Sequence, residues 1–205
     1  MKWIFYLFFL LPAALADFLD QGNKAYDEAE YEKAEDYWRF GCFEKEDENT
    51  GANCYNLGLA YKEGMFKKDY KKAILAFRRS CDFKDYLGCT DLGYMLEEGL
   101  GIAQDLGQAA TLWRESCRSG VAMACFDLGY MYKLGKGLAA DMKQALKLYK
   151  RSCELGYSRA CAKLGFLYED GSLVEKSLAW AKSYYSRACD MGEEQACKAY
   201  EALGH

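Results

Sequence analysis

Small and apolar positions recur along this chain at a helical spacing that restarts every 36 residues. Leu92-Gly93, Leu128-Gly129 and Leu164-Gly165 hold one register, and Gly99, Gly135 and Gly171 hold a second. Ala109, Ala145 and Ala181 hold a third. Four residues after each comes an aromatic: Trp113, Tyr149 or Tyr185. Cysteines keep two more registers, Cys81, Cys117, Cys153, Cys189 and Cys89, Cys125, Cys161, Cys197. The copy from Cys54 is one residue shorter between Gly64 and Ala73, and keeps Leu57-Gly58, Phe77 and Cys81. Self-similarity at such a period marks stacked supersecondary units. Apolar spacing near 3.6 throughout predicts an all-α chain. The only proline is Pro12, near the start.

Each unit reads as two helices. The first carries Leu-Gly at its middle, where glycine costs ~1 kcal/mol against alanine. Close approach of a neighbouring helix at Gly93, Gly129 and Gly165 would offset that. Gly99, Gly135 and Gly171 should end the first helix as left-handed caps. Asp69, Asp105 and Asp141 fall where an acidic side chain caps the free amides of a second helix. In the last copy Glu175 is expected to take that place. Ala73, Ala109, Ala145 and Ala181 should be tight contacts, with the aromatics one turn on filling space between repeats.

Residues 17–43 read as a first helix pair, with Gly22, Ala25 and Tyr26, then Ala34, Trp38 and Cys42 at the matching positions. The link from Cys42 to Cys54 carries the extra stretch EKEDENTG, expected as a longer exposed turn, with a recognition loop as the sharper alternative. Residues 193–203 read as a lone first helix that caps the array. The expected plan is a leader at 1–16 and one repeat domain at 17–205. Within that domain a helix pair covers 17–49, repeats cover 50–87, 88–123, 124–159 and 160–195, and a cap covers 196–205.

The leader changes the redox reading. Lys2, the apolar run Trp3–Leu11 and the small-x-small site Ala14-Leu15-Ala16 make a secretory signal peptide. The run is shorter than the ~20 residues a bilayer demands, so no stable membrane span is expected. Cleavage would leave Asp17 first and 26 cations against 31 acids, a net −5. Mild acidity argues against a nucleic-acid partner. In an exported chain, ten regularly spaced cysteines imply disulfides. Local pairing predicts Cys42–Cys54, Cys81–Cys89, Cys117–Cys125, Cys153–Cys161 and Cys189–Cys197, each tying one second helix to the next first helix. A zinc site would want CxxC-type pairs or histidines, and a redox site would want CxxC. The chain has no CxxC and a single histidine, His205. No metal and no cofactor are expected.

The pattern A-C-x-x-L-G-x-x-Y-x-x-G-x-G…D-x-x-x-A-x-x-x-Y-x-x-x-C resembles the Sel-one-like repeat, a relative of the tetratricopeptide repeat. The cysteine pair per repeat and the leader make the chain similar to the Helicobacter cysteine-rich proteins. That resemblance implies an α/α solenoid, a right-handed superhelix whose concave face is lined by first helices. It also implies weak penicillin binding and β-lactamase activity in a secreted or periplasmic protein seen by the host. The residues do not supply a known apparatus for that activity. No serine has the lysine of Ser-x-x-Lys, and the Lys-Thr-Gly and Ser-Asp-Asn companions are absent. Histidine is the usual base near neutral pH, and a dyad would have to use the terminal His205. Catalytic residues therefore stay unassigned, and at most slow hydrolysis is expected.

Binding is the stronger expectation, because helix-pair solenoids offer a long groove. Two residues after each first-helix cysteine stand Asn56, Asp91, Asp127 and Lys163; three further on, on the same face, stand Leu59, Tyr94, Tyr130 and Phe166. These positions vary in polarity while the packing positions do not. Two readings stay open: a ligand-facing stripe, or core tyrosines beside solvated polar residues. The stripe would take an extended peptide, a peptidoglycan fragment or a host protein, with the chain acting as a monomer. A non-catalytic protein-protein interaction module recognised by host factors is the alternative.

Overall fold

A computed structural model describes residues 17–204. The expected leader and His205 lie outside the described residues. Eleven helices and no strand occur among the described residues. They are α1 (Phe18–Asp27), α2 (Tyr31–Phe43), α3 (Thr50–Glu63), α4 (Tyr70–Asp82), α5 (Tyr86–Glu98), α6 (Leu106–Arg118), α7 (Ala122–Leu134), α8 (Met142–Glu154), α9 (Ser158–Asp170), α10 (Leu178–Asp190) and α11 (Glu194–Ala202). Two compact units divide between Gly88 and Cys89. In the first, α1 packs on α2, α2 on α3 and α3 on α4; in the second, each helix from α6 to α11 packs on the next.

The second helices start where a side chain can satisfy the free amides. Asp69 accepts from Lys71 N and Lys72 N, Asp105 from Gln108 N and Asp141 from Gln144 N, at 2.8 to 3.1 Å. Such a cap contributes ~1 kcal/mol. In α10 the cap is Ser177, which accepts from Trp180 N at 3.3 Å, and not Glu175 as expected. Serine's short hydroxyl reaches the third amide from the capping position itself. Gly64, Gly135 and Gly171 close α3, α7 and α9 with φ of 81°, 69° and 73°, a left-handed conformation that glycine adopts without strain.

The mid-helix glycines have a sharper reason than close helix approach. A Cβ on Gly58 would lie 2.6 Å from the Phe77 ring, one on Gly93 2.6 Å from Trp113, and one on Gly165 2.6 Å from Tyr185. The ring four residues after each packing alanine therefore rests on the glycine of its own helix pair, instead of only filling space between repeats. Phe77 and Trp113 are 0% and 1% exposed, so neither can swing away. Ala73, Ala109, Ala145 and Ala181 are fully buried, as expected of tight contacts. Overpacking of this kind typically costs ~1–3 kcal/mol. Gly58→Ala and Gly93→Ala should lower the denaturant midpoint by that order. Gly129→Ala should do least, since its Cβ would meet Tyr149 at 3.0 Å. Equal losses at all three sites would refute the ring-on-glycine account.

Four bridges match the expected pairs: Cys42–Cys54, Cys117–Cys125, Cys153–Cys161 and Cys189–Cys197, with Cα atoms 4.6 to 4.8 Å apart. Cys81 and Cys89 are disulfide-bonded as well, and no described cysteine is free. The longer link after Cys42 is shorter as a turn than expected, because Thr50 and Gly51 are buried residues of α3. Its polar side chains hold it down. Asp47 N donates to Thr50 Oγ1 at 2.8 Å, Thr50 Oγ1 donates to Lys45 O at 3.1 Å, and Arg79 Nη2 donates to Glu46 at 2.7 Å.

Candidate functional site

The second unit presents the stripe most fully. Tyr94, Tyr130 and Phe166 are 43%, 40% and 50% exposed, although the glycine before each and Met95, Met131 and Leu167 after them are buried. One register of α5, α7 and α9 thus turns an aromatic outward beside core positions. These tyrosines are not core residues. Two residues before each glycine, Asp91 is buried while Asp127 and Lys163 are half-buried. The Lys163 ammonium lies 5.4 Å from the Phe166 ring centroid, within cation–π range.

Charge along this face changes sign. Burial, then the Glu97 and Asp91 carboxylates, push the Asp127 carboxyl up to about 7. Glu97 is itself buried and accepts from Lys136 Nζ at 3.0 Å. One repeat on, burial and then the Lys133 ammonium hold Lys163 below the usual lysine value. An acidic stretch of Asp91, Glu97 and Asp127 therefore gives way to Lys133 and Lys163. Near neutral pH Asp127 can either donate or accept a hydrogen bond. Tyr149 lies under the same place: its ring packs on Gly129, it is fully buried, and its hydroxyl has no hydrogen-bond partner among the described residues. Burial, then Tyr130, then Asp127 raise its phenol.

In the first unit the two expected residues share a pocket of about 380 Å³ with Asn23, Tyr26, Trp38 and Met65. Asn56 Nδ2 donates to Asn23 Oδ1 at 2.8 Å, and Trp38 Nε1 donates to the same oxygen at 3.2 Å. Leu59 is half-buried at its edge. Asn56 is thus tied to α1.

Sequence reasoning missed Glu97, Lys133 and Tyr149. Glu97 and Lys133 lie three residues after Tyr94 and Tyr130, so extending the stripe by one turn would have found them. The serines before the second-helix cysteines carry no exposed nucleophile. Ser80, Ser116 and Ser152 are fully buried, and Ser152 Oγ donates to Ala122 O at 2.7 Å. Among the described residues no group of three or more His, Cys, Asp or Glu side chains is placed to hold a metal ion. Among the same residues no helix is long and apolar enough to cross a membrane.

With this geometry in hand, comparison with known proteins is direct. The Sel1 repeat is matched four times, at residues 54–82, 87–121, 122–157 and 158–193. The chain belongs to the Sel1 repeat family. It is a cysteine-rich member similar to the Helicobacter cysteine-rich proteins. Beta-lactamase HcpA of Helicobacter pylori is 37% identical over 54 residues, 26% of this chain and 20% of that protein. Matched segments cover only 18% to 36% of the length of the curated relatives. Among solved structures, a Sel1 repeat protein from Oxalobacter formigenes aligns with a TM-score of 0.79 and 28% identity, over 89% of this chain and 73% of that one. Helicobacter pylori cysteine rich protein B aligns with a TM-score of 0.51 and 25% identity, over 73% of this chain and 98% of that one. The Sel1 solenoid of disulfide-stapled α/α pairs accounts for the repeat period and for the cysteine registers together.

Proposed function

We propose that this Sel1 repeat protein works outside the cytoplasm as a binding module that takes an extended peptide or peptidoglycan fragment along its first helices. The observation that carries this reading is the outward turn of Tyr94, Tyr130 and Phe166 at one register between buried neighbours. A folded chain gains nothing in stability from leaving large rings in water, whereas rigid amphipathic rings give a ligand contact area at small entropic cost. Asp127 and Lys163 beside them supply hydrogen-bonding groups for backbone amides. A single run of rings with interleaved polar groups suits a long narrow ligand better than a compact one.

A second reading, slow β-lactam hydrolysis, is favoured only by the names of two Helicobacter pylori relatives, HcpA and HcpD. The buried serines and the missing Ser-x-x-Lys weigh against an efficient version of it. The double variant Tyr94→Ala/Tyr130→Ala tests both. Titration with muropeptides and with a peptide library should show affinity lowered by ~1–3 kcal/mol per ring, with the unfolding midpoint nearly unchanged because both rings are exposed. Any turnover of a chromogenic cephalosporin should fall in the same variant. Unchanged binding in the folded variant would remove the stripe from the function, and turnover that survives would require a separate centre.

A further inference from the structure

A second pocket, of about 450 Å³, is lined from α6, α7 and α8 and shares no lining residue with the stripe. Leu128, Tyr132 and Leu148 give it an apolar lining, while Arg114, Arg118, Lys147 and Arg151 contribute four cations and no carboxylate lines it. This is unusual for a chain in which 31 acids outnumber 27 cations. Arg114 and Arg118 are four residues apart on α6, and Lys147 and Arg151 four apart on α8. Like charges at that spacing destabilise a helix. None of the four side chains makes a hydrogen bond or ion pair among the described residues.

The repeat itself supplies the comparison. In three other copies the register of Arg118 holds an acid: Asp82, Glu154 and Asp190. Only this copy reverses the charge. The register of Arg151 holds Glu115 in one other copy and Arg79 and Arg187 in two more, and both arginines are held by the protein. Arg79 Nε donates to Cys42 O at 2.5 Å and Arg187 Nη2 donates to Cys153 O at 3.1 Å. Arg151 stands at the same place beside Cys117 and donates to no atom among the described residues. The reversed charge and the unspent guanidinium meet at one pocket.

We propose that this pocket binds a phosphate monoester carrying an apolar body. Guanidinium forks match the oxygens of a phosphate group in pairs, and its charge near −2 offsets several cations at once. Leu128, Tyr132 and Leu148 would take the apolar part, and the volume suits a small organic ligand. The ester could be a free metabolite or a lipid headgroup; the recognition chemistry is the same. This site is independent of the stripe, so its failure would leave the peptide-binding reading standing.

The test is calorimetric titration of the oxidised full chain with phenyl phosphate at low salt, with phenol and inorganic phosphate as comparators. Saturable one-to-one binding is expected, weaker for inorganic phosphate and absent for phenol. Affinity should fall as salt rises. Arg118→Asp, which restores the acid of the other copies, and Arg151→Ala should each weaken binding about tenfold or more. Both residues are exposed, so thermal midpoints should hold; should Arg118→Asp fail to fold, Arg118→Gln carries the same expectation. Arg187→Ala should bind as the parent does. Retention on phosphatidic acid vesicles, lost on adding phenyl phosphate, would identify a lipid headgroup as a source; binding of phenyl phosphate without vesicle retention would identify a soluble ester. Absence of saturation, or unchanged affinity in folded Arg118→Asp and Arg118→Gln, overturns the proposal.

Discussion

Replacing Cys117 and Cys125 together by serine should lower the unfolding free energy of the oxidised protein by ~2–5 kcal/mol. The bridge closes a loop of sequence separation 8, with its Cα atoms 4.6 Å apart. Removing that constraint from the unfolded chain is worth about 2.5 kcal/mol by loop entropy alone. Burial adds to it, because the two cysteines are 7% and 0% exposed and would be replaced by hydroxyls that want partners. The stability of a solenoid is close to a sum of local units and nearest-neighbour interfaces. The loss should therefore concentrate at the junction of α6 and α7, where hydrogen exchange ought to quicken most. Changing both cysteines avoids the reactive thiol that a single change would leave. A denaturant midpoint that does not move would show that helix packing alone holds the junction.

Asp127 should make the protein less stable as pH rises. Its folded-state carboxyl titrates at about 7, above the ordinary 3.8, because burial and then Glu97 and Asp91 disfavour its charge. Tyr130 on its own helix and Tyr149 on α8 also lie close, while Lys136 is engaged with Glu97. A raised acid keeps its proton in the folded state where the unfolded chain has lost it. Between about pH 4 and pH 7 the folded state thus binds more protons, and stability falls as pH climbs through that window. Between pH 5 and pH 8, Asp127→Asn should gain ~1–3 kcal/mol on the parent protein. Asp47 and Asp170, whose carboxyls are lowered by hydrogen bonds to Lys45 and Ser172, act in the opposite direction and below pH 4. The difference between the two proteins isolates Asp127 from them. Parallel stability curves for both proteins across pH 5 to 8 would show that Asp127 is solvated. If Asp127→Asn also binds peptide less well while gaining stability, the carboxylate is retained for function at a cost to the fold.

What was legible in the chain was whatever repeats within one helix pair. Leu-Gly, the two cysteine registers and the capping aspartates each recur at fixed distance, so period alone marks them. Ser177 was misread because an acid, Glu175, stood two residues before the register that counts. The partner of each mid-helix glycine was half-read: the aromatic was recognised, but that it rests against the glycine depends on how two helices cross. Glu97 with Asp127, and Lys133 with Lys163, are 30 residues apart in the chain. Their meeting is a product of stacking, which no local spacing reports. The basic pocket was hidden for the same reason, since Arg114 and Arg151 belong to different pairs and look like ordinary solvated positions singly.

The four mapped bridges, Cys42–Cys54, Cys117–Cys125, Cys153–Cys161 and Cys189–Cys197, each join a cysteine to the next one along the chain. An oxidant that couples each thiol to its neighbour along the chain would make these links without any reshuffling. The same arrangement bears on inheritance. Between Cys81 and Cys197, excising any 36-residue stretch takes out one cysteine of each register, and every cysteine left there keeps a neighbour at separation 8. Copy number can therefore drift by whole units over generations without stranding a thiol, and lengthening the row of first helices needs no new cross-linking scheme.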